Sequence, residues 1–257
     1  EARELLRYAS VEGDTFTASI LTKVTETPQL KLLQSLRLIE ETHRVIQSLG
    51  RTQVYSRETT AFRFTHTLLQ KAMYDGLSPD ERELLHQAVL EVLREEWSTA
   101  SDNTVNMSGF AARIAAHAEV LGEYEFAAQA LLEGAKHSWR RYASDEAHVL
   151  LEAALRCLDG ADRASSGLQS HLDLLRGQAL LQRAVLERNA GNRAGALDSC
   201  REAYELFDRH GHNSWVAKAL IGEAAIRMRA VAGNQEPLEL GLRALAIAEK
   251  EGDRERI

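Results

Sequence analysis

Residues 184–203 read AVLERNAGNRAGALDSCREA. Small residues fall at Ala184, Gly191, Ala196 and Ala203, spaced seven, five and seven apart. That is the spacing of a helical hairpin, in which two antiparallel helices touch where their side chains are small and the chain turns between them. The pattern recurs. Gly122 precedes Ala127 by five residues and Gly134 by twelve, as Gly191 precedes Ala196 and Ala203. Gly233 precedes Pro237 by four and Ala244 by eleven, the same pattern with one residue deleted. Between these copies, Ser144–Leu158 reads as a helix with Ala147 and Ala154 seven apart, and Asp159–Gly167 reads as a polar break between two stacks. The registered copies predict helical hairpins over residues 109–257; an irregular helical bundle is the alternative. Each hairpin exposes an apolar face that its neighbour covers, so an array ending at Ile257 is expected to continue in a longer protein. Such arrays bind partners more often than they do chemistry.

Composition agrees with a helical chain. The 257 residues include only 3 prolines and 6% aromatics, with 44% hydrophobic and 27% charged residues, the make-up of a core-forming protein rich in helix formers. Nothing approaches the roughly 18 uninterrupted apolar residues of a membrane span, and no basic-then-apolar leader is present. The net charge is −7. Residues 1–100 hold 12 basic and 15 acidic side chains (−3), residues 101–257 hold 19 and 23 (−4). Neither half is basic, which weighs against nucleic acid as the main partner. Cys157 and Cys200 lie inside helical patterns and read as small core residues of a cytoplasmic, reducing compartment.

The head, residues 1–78, is organised differently. Leu5, Leu6 and Ala9 begin a helix that ends near Gly13. Asp14 or Thr15 can cap a second, carrying Phe16, Ile20, Leu21 and Val24. Thr27-Pro28 starts a third, with Leu30, Leu33, Leu36 and Leu38. After the short apolar run Val45-Ile46, Gln53–Tyr55 and Ala61–Phe64 alternate as strands around a polar turn, Ser56–Thr59. Three helices followed by a β-ribbon is the order of a winged helix. Thr65–Tyr74 reads helical again. Ser78-Pro79-Asp80-Glu81 is a capping box opening a helix expected to bury Leu84, Leu85, Ala88, Val89, Val92 and Trp97. Residues 98–108 are the most polar stretch and read as a linker, so that 79–108 connects the head to the repeats.

Three segments, Tyr8–Phe16, Phe62-Arg63-Phe64-Thr65-His66-Thr67-Leu68-Leu69-Gln70-Lys71-Ala72-Met73-Tyr74 and Leu84-Leu85-His86, resemble the winged-helix region of the signal-transducing ATPases with numerous domains, a branch of the AAA-type NTPases. The remainder looks like the tetratricopeptide-type superhelix that often follows there. The resemblance implies a mainly α chain: a winged-helix-like head of three helices plus a β-ribbon, then a right-handed superhelix of tetratricopeptide-like hairpins. It further implies an upstream P-loop module using ATP or ADP with Mg, a protein partner or small effector on the array, and a parent that can homo-oligomerise. No Gly-x-x-x-x-Gly-Lys-Ser/Thr occurs in this chain, so it is expected to be non-catalytic and to hold no cofactor of its own.

In the resembled family a winged-helix histidine near the position of His66 contacts the β-phosphate of bound ADP. His66 stands where a strand enters a helix, and an imidazole can donate the required hydrogen bond; a locally packing histidine is the plainer reading. Arg63 can offer a second phosphate contact or remain an exposed strand arginine. On the array, Trp139, Arg140, Arg141 and Tyr142 form the densest aromatic–cation cluster, the residue types that anchor interfaces, although Trp139 and Tyr142 also suit an inter-repeat core. Arg176, Arg183 and Arg227 or Arg229 can line a concave face. His210-x-His212 beside Asp208 lacks a third clustered ligand, and no metal is expected. The third helix carries Lys31, Arg37 and Arg44 against Glu40 and Glu41, too few cations for a DNA reader. A scaffold that assembles partners, or less readily a DNA-binding regulator, is the alternative function.

Overall fold

A computed structural model describes residues 2–54, 57–99, 107–164, 169–228 and 235–250. The described chain is mainly helical with one small sheet, divided into two compact units, Glu1–Glu123 and Tyr124–Ile257.

The first unit runs α1 (Ala2–Ser10), β1 (Thr15–Thr17), α2 (Ala18–Thr25), α3 (Gln29–His43), β2 (Ile46–Val54), β3 (Arg57–Phe64), α4 (Thr67–Asp75), α5 (Pro79–Thr99) and α6 (Met107–Val120). The antiparallel sheet has the order β1-β3-β2, with Phe16 opposite Phe62 and Ile46 opposite Phe64. The expected helix cap at Asp14 or Thr15 is therefore a strand instead. The β-branched and aromatic run Thr15-Phe16-Thr17 finds a partner in β3, and α2 begins only at Ala18. Phe16 packs on the Phe62 and Phe64 rings at 5.7 and 5.4 Å between centroids. Leu6, Leu21, Leu32, Leu36, Ile39 and Ile46 complete this core. The ribbon is longer than its sequence pattern. β2 opens at Ile46, within the short apolar run, and Glu58 and Thr59, expected in the turn, already pair with Gln53 and Thr52. Residues 55 and 56 of that turn lie outside the described residues.

The capping box forms as spelled. The Ser78 amide donates to the Glu81 carboxylate at 2.7 Å, and the Glu81 amide donates to the Ser78 hydroxyl at 3.2 Å; these bonds hold the Glu81 carboxyl below its usual range. The inward face of α5 differs from expectation. His86, Val89, Leu90, Leu93 and Glu96 are buried, whereas Leu84 is exposed. Two polar residues occupy core positions and so broke the apolar period. The expected linker is also shorter: α5 reaches Thr99, and α6 opens with buried Met107 and Ser108. Residues 100–106 lie outside the described residues.

The second unit contains α7 (Tyr124–Arg140), α8 (Ser144–Ala164), α9 (Gln169–Asn189), α10 (Arg193–Arg209), α11 (Asn213–Arg227) and α12 (Glu236–Lys250). Four helix ends share one geometry, that of α6 in the first unit and those of α7, α9 and α10 in the second. Gly122, Tyr142, Gly191 and Gly211 are left-handed, with φ of 73°, 63°, 84° and 69°. The next amide, of Glu123, Ala143, Asn192 and His212, donates back to Ala118, Ser138, Glu187 and Phe207 at 2.8, 2.9, 2.8 and 2.9 Å. Each is a Schellman turn, which satisfies the last carbonyls of its helix; those at Tyr142, Gly191 and Gly211 also reverse the chain within the second unit. Five residues beyond each turn lie Ala127, Ala147, Ala196 and Val216, all buried. The turns at Tyr142 and Gly211 are further copies of the pattern read from Gly122 and Gly191. Gly233 lies outside the described residues. The polar stretch from Asp159 does not break the chain at once, because α8 continues to Ala164.

Candidate functional site

The second unit holds a half-open groove of about 300 Å³ formed by α7, α8, α9 and α11. Its floor is built by small and aliphatic residues: Ala135 on α7, Ala147 and Leu151 on α8, and Leu181, Val185 and Leu186 on α9. Ala147 belongs to the hairpin spacing and Ala135 adjoins its Gly134, so small residues that let helices approach also line the recess. Trp139 and Trp215 bring indoles to it from α7 and α11. Trp215 is fixed by stacking on Phe207, 5.6 Å between centroids, and the Lys218 ammonium stands 3.7 Å from its ring centre. Lys136 and Arg140, one helical turn apart, supply the cations, and Gln178 and Gln182 the amides. Basic residues in the last turn of α7 suit the negative end of the helix dipole. None of the lining residues is acidic.

The structure thus divides the sequence cluster. Trp139 and Arg140 line the groove. Arg141 and Tyr142 do not, and Tyr142 is instead the turn residue, 91% exposed. The other proposed cations are engaged locally. Arg176 meets Asp159 at 2.7 Å, Arg183 donates to the Ser199 hydroxyl at 3.1 Å, and Arg227 meets Glu223 and Glu236 at 2.7 and 2.6 Å. Arg229 lies outside the described residues.

In the first unit, Arg63 is exposed on β3, opposite Thr15 and Gln47, and His66 is exposed as the residue before α4. The His66 ring makes no cap bond, while its carbonyl accepts from the Leu69 and Gln70 amides at 2.9 and 3.3 Å.

Sequence reasoning missed a buried polar line in the same unit. The Tyr74 hydroxyl lies 3.0 Å from His86 Nε2, and His86 Nδ1 lies 2.8 Å from His117 Nδ1. A 2.8 Å contact between two ring nitrogens needs one proton between them. Burial, with help from Arg82, pushes His86 down to about 4. Burial, His86 and Arg113 push His117 down to about 3. Extending the Val89–Leu90–Leu93 period back one turn reaches His86, the signal that could have found it. Nearby, burial drives the Glu12 carboxyl up to about 7, against Arg113, whose guanidinium meets it at 2.5 Å, and Thr17.

Among the described residues no group of three or more His, Cys, Asp or Glu is placed to hold a metal ion. The His210 ring donates to the buried Asp173 at 2.7 Å, while its backbone amide donates to the Asp208 carbonyl. Cys157 and Cys200 are buried and unbridged, and burial with Glu223 pushes the Cys200 thiol up to about 11. No described helix is long and apolar enough to cross a membrane.

No family model and no curated protein matches the chain. Among solved structures it is similar to a Signal Transduction ATPase with Numerous Domains (STAND) protein with a tetratricopeptide repeat sensor from Pyrococcus horikoshii, at 14% identity and a TM-score of 0.33. The match covers 99% of this chain and 45% of that one, so the chain spans less than half the length of the solved protein.

Proposed function

We propose that the chain is the sensing and regulatory part of a signal-transducing ATPase, itself without catalysis. The observation that carries this reading is the groove of the second unit: a recess with two indoles and two cations, set among hairpins joined by repeated turns. The first unit is read as a winged helix that packs on a nucleotide module. The element order α1-β1-α2-α3-β2-β3 with its three-stranded sheet supports this, as does the Phe62–Tyr74 motif. Exposed His66 and Arg63 are then free to face bound ADP. Ligand on the array would shift a two-state equilibrium, releasing the head from the nucleotide and letting the ATP-bound parent oligomerise. Leu30 and Leu38, exposed on α3, weigh against a DNA-reading surface.

The reading frame upstream of Glu1 is expected to encode a P-loop. In that intact protein His66→Ala is expected to speed ADP release about tenfold, since a hydrogen bond to a charged group is lost. An upstream frame without a P-loop overturns the ATPase reading; unchanged ADP release overturns the role of His66. A second reading, a scaffold that assembles protein partners, is favoured by Leu238 and Leu242, exposed one turn apart on α12.

A further inference from the structure

We infer that the groove takes a small amphipathic anion, an aryl or alkyl carboxylate, with its apolar body against Trp139 and Trp215 and its charge toward Lys136 and Arg140. This deepens the sensor reading and rests on it. The volume, about 300 Å³, lies at the lower end of small-molecule sites. It admits one ring system or short chain, and it is too small for a helix, which lays several side chains along a trough. An extended peptide needs a row of amides for its backbone, and the lining offers two, Gln178 and Gln182.

Charge selects the anion. The protein carries −7, yet the lining has two cations and no carboxylate. Lys136 also meets Glu133 at 2.5 Å, so a ligand carboxylate would share that ammonium. The Arg140 guanidinium adds a planar fork whose geometry matches both carboxylate oxygens. The indoles supply flat, rigid contact area with little entropy to lose, and Trp215, already held by Phe207, is ordered before any ligand arrives.

The test uses the whole 257-residue chain and two matched pairs, 4-phenylbutyrate against 4-phenylbutanol and octanoate against octanol, titrated by tryptophan emission. Trp139→Phe and Trp215→Phe assign the signal against Trp97. The acids are expected to saturate and to bind at least tenfold more tightly than the alcohols. Lys136→Gln with Arg140→Gln should bring the acids to the alcohols' affinity. Gln178→Glu, which puts a carboxylate in the lining, should weaken the acids tenfold and spare the alcohols, circular dichroism reporting that each variant is folded. Equal binding of acid and alcohol, or acids indifferent to these changes, overturns the anion preference. Silence from all four probes with saturable binding of an acidic, leucine-rich peptide overturns the ligand class and leaves the sensor reading standing. Silence from every probe overturns both.

Discussion

At the residue scale the turn positions are the most informative. The left-handed conformation costs an L-residue about 1–2 kcal/mol and glycine almost nothing. Three of the four Schellman turns use glycine, with open space where a Cβ would stand. Tyr142 pays that strain with its side chain in solvent. Tyr142→Gly is therefore expected to stabilise the protein by about 1 kcal/mol, raising the thermal midpoint by about 3 °C in a melt followed at 222 nm. Gly191 was readable because glycine announces a turn. Tyr142 was not, because nothing local marks a tyrosine as left-handed; only its spacing to Ala147 and Ala154 matched.

At the element scale, two helical glycines separate propensity from packing. Gly177, in α9, faces the Phe207 ring, and a Cβ there would stand 2.4 Å from it. Gly241, in α12, has nothing within 4 Å of that position. Helix propensity alone favours alanine at both by about 1 kcal/mol. Gly241→Ala is expected to deliver most of that gain. Gly177→Ala is expected to destabilise by about 1–3 kcal/mol, since Phe207 carries Trp215 and must move. Urea midpoints compare the two, and a stabilising Gly177→Ala would show that α9 and α10 have room to part. The elements themselves were largely legible: the capping box at Ser78, the hairpin spacing and the ribbon all follow from local chemistry. The strand at Thr15–Thr17 was hidden because three residues become a strand only when β3 lies beside them.

At the scale of the molecule, buried ionisable groups couple the fold to pH. In the unfolded chain His86 and His117 take protons near pH 6.5; in the fold they refuse them until about 4 and 3. Their depressed values mean that stability falls as pH drops below about 6.5. Glu12, raised to about 7, acts oppositely: the fold takes its proton first, so this group favours the fold as pH falls from about 7 to 4.5. Two protons against one leaves a net loss of about 1.4 kcal/mol per pH unit between pH 6 and 5. His86→Leu with His117→Leu is expected to reverse that slope, and Glu12→Gln to steepen it, in urea unfolding repeated from pH 8 to 4.5. An unaltered slope in the double variant would mean that the histidines titrate in the fold as they do in water. By itself the sequence determined the helical hairpins, their small-residue seams and, in the head, the helices and the β2–β3 ribbon, because these depend on neighbours within a few turns. Only the tertiary structure decided that Trp139 and Arg140 share a groove with Trp215, and that His86 meets His117, 31 residues on. Such meetings depend on how distant helices pack, which no local period encodes.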